Sequence, residues 1–127
     1  MFKTKDMLED FGLSVNAGIS YAEIFVDDNE VCELPLNLYL FDQLKELINS
    51  GESQIFTNGH GELCLLSQSR FGFLIDSGKK NHLTRYEFLL LCRELADKIA
   101  YAENEMFNAR KNRFKMFVTK TIKSEYF

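Results

Sequence analysis

The stretch Leu34-Pro35-Leu36-Asn37-Leu38-Tyr39-Leu40-Phe41-Asp42-Gln43-Leu44-Lys45-Glu46-Leu47-Ile48-Asn49 changes its hydrophobic period part-way along. Leu34, Leu36, Leu38 and Leu40 alternate as in a strand, whereas Leu40, Leu44, Leu47 and Ile48 recur at helical spacing. The reading is a strand running into a helix near residues 38–49, with residues 34–41 compatible with either state. Asn37 offers an N-cap, and Asn49-Ser50-Gly51 offers a stop.

Upstream, Tyr21 to Val26 and residues 30–34 are rich in β-branched and aromatic side chains and flank the turn formers Asp27-Asp28-Asn29, which predicts a β-hairpin. Ala22, Ile24 and Val26 share its core face. Before it, Met7, Leu8 and Phe11 fall on one face of a short helix over residues 4–11, capped by Thr4 and stopped by Gly12. Downstream, residues 54–57, 62–67 and 70–76 form a three-stranded meander, with turns at Asn58-Gly59-His60-Gly61 and at Gln68-Ser69. Thr84-Arg85-Tyr86-Glu87 is a capping box, and behind it Phe88, Leu91, Cys92, Leu95, Ile99, Ala102 and Met106 form one apolar stripe. A helix from there to Arg113 would hold roughly 30 residues and span about 45 Å, so its far end needs cover from a second copy, a partner or residues 114–127.

The order α-β-β-α-β-β-β-α predicts a single α+β domain over residues 1–127, an antiparallel sheet of about five strands on two or three helices. At 127 residues and 46% hydrophobic, the chain is long enough for one real core. It has no apolar run of the roughly 20 residues a membrane span needs, and Cys32, Cys64 and Cys92 are odd in number and widely spaced. Both features suit a cytoplasmic protein with reduced, buried thiols.

Catalytic signatures are incomplete. His60 and Cys64 are four apart at a turn that enters a strand, and nothing has zinc-ligand spacing. Asn58-Gly59-His60-Gly61 has no helix behind it to aim amides at a phosphate, whereas Ser77-Gly78-Lys79-Lys80-Asn81-His82 precedes the capped helix and is the better anion candidate. Asp27, Asp28 and Asp76 sit in or beside turns and not in a cleft suited to acid–base work. No enzyme activity, cofactor or metal is expected.

The charge is uneven. Residues 1–60 hold 11 Asp and Glu against 3 Lys and Arg, and residues 61–127 hold 8 against 12. The acidic candidates for partner binding are Glu23, Asp27, Asp28, Glu30 and Glu33. The basic ones, Arg110, Lys111, Arg113, Lys115, Lys120 and Lys123, are interleaved with Phe114, Met116, Phe117, Val118 and Ile122, a pattern that could track nucleic acid; the acidic whole chain makes that unfavourable. The late aromatics Phe107, Phe114, Phe117, Tyr126 and Phe127 read as helix-packing residues or, if exposed, as an interface. By elimination and charge, the leading expectation is a non-catalytic inhibitor of the toxin-immunity or phage anti-defence type, its acidic hairpin set against a basic toxin or nuclease.

The alternative rests on a resemblance. A first helix ending at Phe11-Gly12-Leu13, a strand segment Phe25-Val26-Asp27-Asp28-Asn29-Glu30-Val31-Cys32 and a long helix after His82-Leu83-Thr84 resemble the small acidic chaperones of type III secretion over about two-thirds of the chain. The resemblance implies a homodimer, joined through the long helix, that wraps an extended effector segment. It departs from the family in strand order, because two strands are expected here before the second helix and three after it, where the family has three and two.

Overall fold

In a computed structural model, which describes residues 8–99 and 104–127, the chain folds as an α+β domain with two antiparallel sheets instead of one. Residues 8–10 are helical, and Gly12, in the left-handed region at φ 73°, turns the chain out of them. Thr4 and Met7 lie outside the described residues. The first sheet is β1 (Leu13–Ala17), β2 (Tyr21–Val26) and β3 (Asn29–Pro35), in that order. Helix α1 (Leu40–Ser50) follows, then a second sheet of β4 (Gln54–Thr57), β5 (Leu63–Ser69), β6 (Gly72–Asp76) and β7 (Lys80–Thr84). Two helices close the chain, α2 (Arg85–Lys98) and α3 (Glu105–Tyr126).

The hairpin between β2 and β3 turns at Asp27 and Asp28, both at positive φ (50° and 66°), the backbone that matches strand twist in a two-residue turn. Ala22 and Ile24 are buried as their alternation requires, and Val26 packs against the core. In the ambiguous stretch, the strand ends at Pro35 and the helix begins at Leu40. Asn37 is not the helix cap: its Oδ1 accepts the Tyr39 N–H at 2.9 Å, so it builds the turn that precedes α1. Gly51, at φ 77°, closes α1 by donating to Leu47 O.

Strands β1 and β7 are additions to the expected order. β1 has only five residues, and Leu13 and Val15 gain their places by burial. β7 is polar, with Leu83 its one buried residue, and it is held by main-chain pairing to β6. The turn between β5 and β6 falls at Arg70-Phe71, two residues later than Gln68-Ser69, which belong to β5. Gly72 starts β6 because a Cβ there would collide with the Leu83 carbonyl oxygen.

The expected 30-residue helix is two helices. Helix α2 ends as Ile99 turns extended (ψ 116°), and Asn104 caps α3 by accepting the Phe107 N–H at 3.1 Å. Helix α3 runs back antiparallel, so that Arg85 at the start of α2 holds Glu125 near the end of α3 through Nε–Oε1 at 2.6 Å and Nη2–Oε2 at 2.8 Å. Phe107, Phe114, Val118 and Ile122 are its buried stripe; residues 114–127 thus cover this chain's own core. Met106, expected in the stripe of α2, is 55% exposed on α3, and Ala102 lies outside the described residues. Phe117 is partly buried, Tyr126 meets Tyr86 at a tilt with centroids 4.7 Å apart yet is 41% exposed, and Phe127 is 85% exposed.

The capping box is complete: Thr84 Oγ1 accepts the Glu87 N–H at 3.1 Å and Glu87 Oε1 accepts the Thr84 N–H at 2.8 Å. Thr84→Ala is expected to lower stability by about 1 kcal/mol, and Gly72→Ala by about 1–3 kcal/mol through the clash with β7. Urea unfolding of the two variants checks both, and equal, negligible losses would contradict the β6–β7 packing.

Candidate functional site

The acidic hairpin divides into two groups. A β-bulge at Val31 shifts the register, so that Ile24 faces Cys32 while Phe25 faces Glu30. Without the extra residue Glu30 and Cys32, two apart, would share a face. The bulge sends Cys32 to the core and leaves Glu30 on the outer face with Glu33 and its cross-strand neighbour Glu23. Carboxylate oxygens of Glu23, Glu30 and Glu33 stand within 4.8 Å of one another. Asp27 and Asp28 are not part of this cluster; they stand at the turn, where the Asp27 N–H donates to Gly12 O at 2.7 Å.

Neighbours hold the cluster in place without neutralising it. Asn16 Nδ2 donates to Glu23 Oε1 at 3.1 Å and the Gly59 N–H donates to Glu33 Oε1 at 3.3 Å. Among the described residues no lysine or arginine makes an ion pair with Glu23, Asp27, Asp28, Glu30 or Glu33; the pairs formed are Arg85–Glu125, Lys98–Glu94, Arg110–Asp42 and Lys115–Asp97. Desolvation, then the charge and hydrogen bond of Glu23, then Glu33 and Glu62, raise the Glu30 pKa above the ordinary carboxylate value.

Beside the cluster a cleft of about 280 Å³ opens between β3 and the 58–62 loop. Asn58 shapes that loop by accepting the N–H groups of His60 and Glu62, each at 2.9 Å. Glu30, Glu33, His60 and Glu62 line the cleft, and so do Cys32 and Cys64, whose sulfurs are 2.9 Å apart. Sequence spacing does not bring out this pairing of residues 32 apart. Either thiol can donate in this contact; with Cys32 as donor the contact lowers the Cys64 pKa, and the contact, burial and nearby Glu30 and Glu33 raise the Cys32 pKa. Among the described residues no third histidine, cysteine or carboxylate joins both sulfurs within 4.8 Å, so the pair lacks the donor set of a zinc site.

Two other candidates change character. Lys80, Asn81 and His82 belong to strand β7, and the amides at the start of α2 are engaged by the capping box, which leaves the 77–82 segment without the helix N-terminus its anion reading needs. Of the C-terminal cations, Arg110 donates to Leu38 O at 2.7 Å and pairs with Asp42 at 3.2 Å, Lys111 donates to Ile99 O at 3.3 Å, and Lys115 pairs with Asp97. These three fasten α3 to the body, whereas Arg113, Lys120 and Lys123 are exposed on it. No helix among the described residues is long and apolar enough to cross a membrane.

Compared with protein families, with curated proteins and with solved structures, the chain matches none.

The raised pKa of Glu30 gives a pH prediction with a definite sign. The stability contributed by its neutral form is fully present below pH 4.5 and lost as pH rises through the raised folded value, so at pH 7 the ionised group opposes folding. Glu30→Gln is therefore expected to raise the melting temperature at pH 7, with a gain that shrinks in acid and in high salt. Melting curves against pH and salt check this, and a gain indifferent to both would refute the repulsive cluster.

Proposed function

We propose that this chain is a non-catalytic protein-binding protein that holds an extended, basic segment of a client, in the manner its resemblance to type III secretion chaperones implies. Strand β1 carries this reading. With it, three antiparallel strands lie between the first helical residues and α1, the order that the resemblance requires in its first half. The second half departs further, with four strands and two helices where that family has two and one. A client segment with lysines and apolar residues would suit the outer surface on chemical grounds. Glu30, Glu33 and Leu63, the last 63% exposed, line the cleft with Glu23 close by, and Ile55, 60% exposed, lies on adjacent β4. The apolar stripe expected to need cover from a second copy, a partner or residues 114–127 packs against α3 of the same chain, so a homodimer would use another face.

A second reading, an inhibitor of a folded basic toxin or nuclease, is favoured by one observation: the carboxylates are kept together with no counter-ion among the described residues, which suits steering toward a positive surface.

The two readings part on the state of the partner. The tagged chain, used at moderate salt on nuclease-treated lysate of its native host, is expected to retain one protein through a segment whose amides exchange freely alone and are protected in the complex. Glu23→Lys/Glu33→Lys is expected to weaken that complex at least about tenfold, mainly by slowing association, and to flatten its salt dependence. A folded enzyme bound one-to-one and silenced would transfer the assignment to the inhibitor. Binding unaffected by charge reversal would remove both readings.

A further inference from the structure

Cys32 on β3 and Cys64 on β5 come from different sheets and meet with their sulfurs 2.9 Å apart, within about 1 Å of bonding distance. Their positions are fixed from both sides. The bulge at Val31 turns Cys32 inward, Ser77 Oγ donates to Val31 O at 2.5 Å, and Cys64 is held in the β4–β5–β6 pairing. Both sulfur-bearing residues line the 280 Å³ cleft, which opens to solvent past His60 and Glu62. Cys92 is the contrast: it is buried among Ile24, Leu34, Leu91 and Leu95, with no second thiol beside it, and burial alone raises its pKa.

We propose that Cys32 and Cys64 form a redox-active dithiol site that exchanges with a low-molecular-weight disulfide admitted by the cleft. Cys64 loses its proton to water, and its thiolate, to which the adjacent Cys32 S–H can donate, attacks one sulfur of R–S–S–R. That bond breaks, the leaving thiolate takes a proton from water and departs as RSH, and a Cys64–S–S–R mixed disulfide remains. Cys32 then loses its proton to water and attacks the Cys64 sulfur, expelling the second RS⁻, which is protonated to RSH. The protein gives up two electrons and two protons, and one small disulfide becomes two thiols. The product is a staple between the two sheets that closes a chain separation of 32 residues. This site stands independently of the client-binding reading.

The test treats the fully reduced, folded chain with oxidised glutathione, quenches with acid and maps the thiols by alkylation and mass spectrometry. The expected product is a Cys32–Cys64 disulfide with Cys92 free, a rise in melting temperature of about 10 °C, and full reversal by dithiothreitol. Cys32→Ala is expected to stop at a Cys64–glutathione adduct, and Cys64→Ala to give neither adduct nor staple; Cys92→Ala is expected to oxidise as the unaltered chain does. Because the cysteines are buried, the unaltered chain decides the matter even if a variant fails to fold. Three unmodified thiols in the folded chain, or a disulfide that includes Cys92, would overturn the proposal.

Discussion

Helix α2 has to be covered on nearly every side, and most of the architecture answers that need. Phe88, Leu89, Leu90, Leu91, Cys92, Leu95 and Ala96 are all buried, a distribution too wide for one amphipathic stripe. Each large apolar side chain among them contributes about 1.5–3 kcal/mol when removed from water, so no single neighbour suffices. Strand β6 supplies one wall, where Phe73 stacks on Phe88 with centroids 4.2 Å apart. Strand β1 supplies another with Leu13 and Val15, and α3 supplies a third by packing along α2 while its Phe107 and Phe114 meet Phe41 of α1. The reversal near residue 104 lets the chain satisfy a long apolar stripe without a second copy.

Strand β3 is the seam between the sheets, and its bulge does two things at once. On the outer face it adds Glu30 to Glu23 and Glu33, where opposed like charges disfavour the hairpin. On the inner face it buries Val31 and Cys32 together, which anchors β3 to the second sheet through Ser77 and sets one sulfur against Cys64. The acidic cluster and the thiol pair are thus two faces of one backbone irregularity. A regular strand would give neither arrangement.

What could be read from the sequence was local. The turn at Asp27-Asp28, the stop at Gly51 and the Thr84–Glu87 box are each specified by neighbours a few residues apart, and each stands where its chemistry places it. Strand β7 carries one buried side chain and is defined by main-chain bonds to β6, which leave no mark in hydropathy. The break between α2 and α3 was concealed because apolar residues continue across it at helical intervals. Asn104-Glu105, a cap followed by an acidic first turn, was the available signal. At the candidate site the acidic residues were visible as charge, but the separation of the three glutamates from Asp27 and Asp28 depends on the bulge. The Cys32–Cys64 pairing depends on how two sheets dock.

The same carboxylates bear on both proposals. The Cys64 contact and burial chiefly keep the proton on Cys32, and the negative field of Glu30 and Glu33 adds to them. A lysine or arginine docked against those glutamates would cancel part of that field and ease ionisation of Cys32, the group that must attack in the second step of disulfide formation. Thiol and disulfide are both neutral, so this electrostatic link acts on the rate of closing the staple more than on its equilibrium. A basic partner on the outer face of β3, as proposed, would therefore speed the proposed response of the thiol pair to an oxidant in the cleft, with the link running through one strand.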